Sequence, residues 1–268
     1  MLRRAIHAAN AIVCGHTLVR LGSIVLVPLF LRYWTATQYG EYVALFAAVT
    51  YLTGLDIGMQ QATVNRLTQV YARNSLEEYR HIQRTALVFY VVLATGITLL
   101  VAGLGWFLPW SRWLGLRLTK PSVATGTVIL LVAYVMWSMP MRLIVATYQT
   151  TGNLARSQWI ANVQQALVVV LSALVLLLGG GMLAIASLQL TTVALTTTHV
   201  LLDVHRRFPA LFPGVFGAKF SSLKELLQPS LLFALLLVGN LVAYQGSVVL
   251  TSAILAVWLL PYSPFPRQ

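Results

Sequence analysis

The sequence predicts an all-α membrane protein of about seven transmembrane helices. Three observations carry this. Apolar residues fill 58% of the 268 positions, charged residues only 9%, and mean hydropathy is +0.79. Soluble domains carry roughly a quarter charged residues to keep a wetted surface. The few charges are also clustered, so that residues 86–108 and 121–141 hold none across 23 and 21 positions. Each run exceeds the roughly 20 apolar residues that cross the hydrocarbon as a helix. Finally, the apolar runs lack the ten-residue alternation of a membrane barrel.

The spans follow in order near 11–33, 42–64, 86–108, 123–148, 159–178, 182–202 and 229–257. The first holds Arg20 and Cys14 and follows Arg3 and Arg4. His16 and Arg20 interrupt the run and no small-residue cleavage site follows, so it reads as a retained span rather than a signal peptide. Residues 157–202 are uncharged over 46 positions, and one helix of that length would run about 69 Å, twice the core thickness. Gly179-Gly180-Gly181 supplies the break into two spans. Between spans, 66–84 and 219–228 read as amphipathic helices on the membrane surface. Trp106, Phe107, Trp110 and Trp113 read as an interfacial aromatic anchor.

Basic residues set the orientation. With the N-terminus inside, twelve Lys or Arg fall in inside segments and five outside, with Arg20 left within the first span. This bias places the N-terminus in the cytoplasm. It also accounts for the net charge of +12 without nucleic acid, since no basic patch interleaved with aromatics lies on a soluble module. The single cysteine excludes an internal disulfide. No phosphate loop, H-E-x-x-H, CxxC or clustered carboxylate pair is present, so an enzyme and a bound cofactor are not expected.

Ionisable groups inside a membrane mark candidate sites. Arg20 lies nine residues from the inside end of span one, and Asp56 eight from the inside end of the antiparallel span two. Similar depth predicts either an ion pair that locks two helices or a shared cavity for an anionic substrate or a coupling ion. Arg142 lies near the inside end of span four beside Pro140, and Asn240, Tyr244 and Gln245 share one face of span seven. These are candidates to line a passage, with helix adhesion as the other reading.

Residues 26–40 (LVPLFLRYWTATQYG) and 41–66 (EYVALFAAVTYLTGLDIGMQQATVNR) resemble the start of bacterial polysaccharide flippases. These are the O-antigen and exopolysaccharide transporters of the multidrug/oligosaccharidyl-lipid/polysaccharide exporter superfamily. The likeness rests on a proline before a leucine-rich helix end, a Tyr39-Gly40 turn, and a second helix ending in Leu55-Asp56-Ile57-Gly58 before Arg66. Residues 149–158 (QTTGNLARSQ) resemble the family's inside loop after span four. The resemblance implies two six-helix lobes around a cavity that opens alternately to each side. Its cargo would be an undecaprenyl-diphosphate-linked oligosaccharide, its place the bacterial inner membrane, and its partners membrane lipids and polysaccharide assembly proteins. On that plan 1–202 form the first lobe, 203–228 a cytoplasmic connector, and 229–268 the first helix of an incomplete second lobe with an aberrant tail. A truncated product is therefore expected. The competing readings are a drug/cation antiporter of the same superfamily, which needs a carboxylate in its path, a nonfunctional fragment, and a seven-helix receptor, which the charge bias disfavours.

A cytoplasm-only reporter fused after residue 75 should be active and one after residue 115 silent. The reverse pattern overturns the orientation.

Overall fold

The computed structural model describes the backbone of residues 2–56, 58–105 and 107–212, with side chains at all of these except 2–8, 16, 18–21, 23, 55, 111 and 112. The expected seventh span, the surface helix at 219–228 and the candidates Asn240, Tyr244 and Gln245 lie outside the described residues. Described residues form eight α-helices: α1 Leu2–Tyr33, α2 Ala36–Thr50, α3 Met59–Ala72, α4 Leu76–Leu104, α5 Trp110–Trp113, α6 Pro121–Thr150, α7 Leu154–Leu177 and α8 Met182–Arg207. Short 3-10 turns cover Tyr51–Asp56 and Pro209–Leu211. No strand occurs among them.

The protein is an all-α membrane protein. Helices α4, α6, α7 and α8 are each long and apolar enough to cross a bilayer, and α2 and α3 meet the same test when taken together, with a bend of 47° between them. The 32-residue α1 lies alongside α7. The face on which α1 begins is called the start face below, and the other the far face.

Several expected boundaries move. Span two begins at Ala36 rather than 42, because Thr35 caps it: Gln38 N–H donates to Thr35 Oγ1 at 3.2 Å and the Gln38 side chain accepts from Thr35 N–H at 3.0 Å. This reciprocal capping box satisfies two orphan donors. Tyr39-Gly40 is consequently not a turn but part of the first turns of α2. The helix end expected near Asp56 is present: α2 passes into a 3-10 turn that closes at Asp56, and Gly58 takes a left-handed φ of 71° before α3 starts at Met59. Residues 66–84 are not one surface helix. They are the end of α3, a turn through Asn74, and the start of α4, held together by Arg66 on Glu78 at 2.9 Å. The break at 179–181 is as expected, with α7 ending at Leu177 and Gly179 at φ 75°. Helix α8 runs on to Arg207, so the first residues of the expected connector at 203–228 are helical.

Helix α6 is the pillar of the bundle, packed by α4 and α8 along its length and also by α2, α3 and α7. Its buried positions lie all around the helix, including Val128, Leu131, Met136, Leu143 and Tyr148. Side-chain hydrogen bonds add direction to this packing. Gln83 Nε2 of α4 donates to Thr147 Oγ1 of α6 at 2.9 Å, and the Tyr79 and Thr150 hydroxyls meet at 3.0 Å. On the far side of the sequence break, Glu41 is only 6% exposed although it is a carboxylate. It accepts from the backbone N–H groups of Leu118 and Thr119 at 2.8 and 2.9 Å, and from Arg117 N–H and the Thr119 hydroxyl. That cage fastens the loop before α6 onto α2.

Helix α1 is held by small residues. Ala11 O accepts from Asn162 Nδ2 at 2.8 Å, and Gly15 and Gly22 face Asn162 and Val169 of α7. The pairing rises together along both chains, so α1 and α7 run parallel. Close backbone approach over small residues is the usual way membrane helices adhere. A Cβ on Gly15 would stand 2.4 Å from Asn162 Oδ1, and one on Gly22 2.8 Å from Val169 Cγ2. Gly15→Leu and Gly22→Leu should each destabilise the detergent-solubilised protein by about 1–3 kcal/mol through overpacking. Gly96→Ala, with nothing within 4 Å of its Cβ, is the control and should not lower the unfolding temperature.

Candidate functional site

A polar cleft of about 380 Å³ opens between α3, α6 and α7. Each helix contributes one stripe at helical spacing. Helix α3 presents Gln60 and Gln61; α6 presents Tyr134, Ser138, Arg142 and Gln149; α7 presents Ser157, Gln158, Gln164 and Gln165. Six glutamines line it, and Arg142 is its one charged lining residue. In a bilayer a polar stripe on three adjoining helices is costly unless it borders water or a ligand.

The kink in the second crossing positions the α3 stripe. Gln60 N–H, at the start of α3, donates to Asp56 Oδ1 at 3.1 Å. The Tyr90 hydroxyl of α4 donates to the same oxygen. Asp56 thus acts as an acceptor for the first turn of α3, where unsatisfied backbone donors gather. Gln60 Nε2 in turn reaches across to Met139 O of α6 at 3.2 Å, next to Pro140. Proline has no N–H and crowds the preceding turn, which loosens the helix where Gln60 meets it.

The sequence candidates separate accordingly. Arg142 lies in the cleft, is exposed there, and makes no hydrogen bond or ion pair among the described residues. Asp56 is bound to Tyr90 and Gln60 and does not line the cleft. Arg20 is on α1, and its side chain lies outside the described residues, as do Asn240, Tyr244 and Gln245. The sequence reading misses these glutamines, since the only uncharged polar groups it singles out are Asn240, Tyr244 and Gln245. Their signal was present in α7, where Ser157, Gln158, Gln164 and Gln165 break an apolar span at one face.

No protein-family model matches the chain, and no curated protein matches it. Among solved structures, the fold is similar to that of a MOP superfamily transporter from Pyrococcus furiosus, described as having a binding pocket of reversed polarity. The TM-score is 0.67 at 14% identity, over 87% of this chain. The chain spans 52% of the length of that transporter. The likeness is one of fold.

If Asp56 and the Tyr90 hydroxyl form a coupled pair, Asp56→Asn and Tyr90→Phe should be non-additive. A coupling of about 0.5–3 kcal/mol is expected from thermal unfolding of the two single variants and the double. Strictly additive losses would remove Asp56 from its role at the kink.

Proposed function

We propose that this chain is a membrane transporter lobe that carries an undecaprenyl-diphosphate-linked oligosaccharide, as a flippase of surface polysaccharide or O-antigen synthesis. The observation that supports this is the composition of the cleft. Glutamine amides each offer donors and an acceptor, the complement of sugar hydroxyls. Arg142 adds one fixed cation with a free guanidinium, the group best shaped for phosphate oxygens. The resemblance of residues 26–66 to polysaccharide flippases, and the transporter fold, point the same way. The proposed location is the bacterial inner membrane, N-terminus in the cytoplasm.

A drug/cation antiporter is the weaker reading. It needs a carboxylate in the path, and none lines the cleft among the described residues, while Asp56 is engaged at the kink. Arg142→Gln should weaken binding of the diphosphate-linked oligosaccharide to the protein in nanodiscs by about 10- to 100-fold, the weight of one charge-assisted contact. Arg142→Lys should retain part of it. Equal binding of a neutral lipid-linked sugar, or no effect of Arg142→Gln, overturns the assignment.

A further inference from the structure

A second pair of hollows lies where α7 and α8 meet at the start face, one of them sharing Ile160 and Gln164 with the cleft. One, of about 800 Å³, holds two arginines and is lined by Asn153, Arg156, Trp159, Arg207 and Phe208. The other, of about 420 Å³, continues along the helices as an apolar groove lined by Trp159, Val163, Leu167 and Leu195. Arg156 and Trp159 border both, so the two are continuous.

The charge in the larger hollow is unbalanced. Asp203 accepts from Arg156 Nη2 at 2.6 Å and Nε at 2.9 Å, and from Arg207 Nε at 3.0 Å. The Tyr148 hydroxyl also donates to it. One carboxylate therefore serves two guanidiniums and leaves a net charge of +1. A guanidinium carries five N–H donors. Arg156 directs two at Asp203 and also meets Tyr148, and Arg207 directs one at Asp203, so donors remain on two arginines that line the hollow. Below them Val163, Leu167 and Leu195 are about half exposed. From Arg156 to Leu167 the helix descends eleven residues, about 16 Å, or half the hydrocarbon thickness.

We propose that this junction binds one anionic glycerophospholipid, its phosphate on Arg156 and Arg207 and its acyl chains in the Trp159–Leu195 groove. An anionic headgroup completes the charge balance, whereas a zwitterionic one brings an ammonium to a cationic site. Free phosphate would leave the groove empty. The chain's own residues 213–228 hold two lysines and one glutamate and share the sign of the hollow, which disfavours them as its occupant. The bound lipid would brace α7 against α8 whatever cargo the cleft takes.

Native mass spectrometry of the full chain, delipidated in detergent and given phosphatidylglycerol or phosphatidylcholine, tests this. Phosphatidylglycerol should be retained about tenfold more strongly, one charge-assisted contact's worth. Arg207→Gln leaves the Arg156–Asp203 pair in place and should abolish that preference. Leu195→Trp fills the groove from the lipid-facing side and should reduce retention of phosphatidylglycerol with the charges intact; it keeps the proposal testable where Arg207→Gln fails to fold. Glycerol phosphate alone should neither bind nor raise the unfolding temperature. Equal retention of the two lipids, retention unchanged in both variants, or stabilisation by glycerol phosphate to the same extent overturns the proposal.

Discussion

Hydrocarbon offers a buried polar group no water, so each donor that leaves the surface must find its acceptor inside the bundle. Helix α6 does this for three neighbours at once. Thr147 and Thr150 receive Gln83 and Tyr79 from α4, Tyr148 reaches Asp203 of α8, and the Met139 carbonyl takes the amide of Gln60 from α3. Each bond fixes which face of a neighbour turns toward the pillar. Apolar packing alone would hold the helices together without choosing among rotations, because lipid tails are as apolar as the side chains. With those rotations set, the polar stripes of α3, α6 and α7 converge on one cleft instead of being scattered around the bundle.

The bend between α2 and α3 follows the same logic. A helix that breaks in mid-membrane exposes the donors of the second half, and an acceptor must be supplied. Asp56 supplies it to Gln60, and Tyr90 supplies a donor to Asp56 in return. These two bonds fix where α3 begins, and α3 then presents Gln60 and Gln61 to the cleft.

Much of this was legible in the sequence. The helical class, the break at the glycine triplet and the loop after α6 follow from charge-free length and from glycine, which are local properties. The Tyr39-Gly40 turn was misplaced because glycine inside an apolar helix resembles glycine at its end, and the Thr35–Gln38 capping box gives the true start. The surface helix over 66–84 was misread since basic residues extend α3 and α4 beyond the apolar run, and hydropathy does not register helix that emerges into water. Glu41 and the glutamines escaped for another reason. Their partners are more than 70 residues away or on other helices, and no local pattern encodes such pairs.

Charge placement then separates the parts of the bundle that hold from the part that can receive. Glu41 is enclosed by backbone donors, and Asp56 by a tyrosine and a helix start. In these places ligand would have to displace a satisfied contact, at the cost of a buried unpaired group. Arg142 is different: its guanidinium faces the cleft with no partner among the described residues, amid amides that can reorient. An uncompensated cation next to low-dielectric helices gains from any anion that enters, and the gain grows as water leaves. The α6 stripe therefore sets one positive charge among neutral glutamine amides.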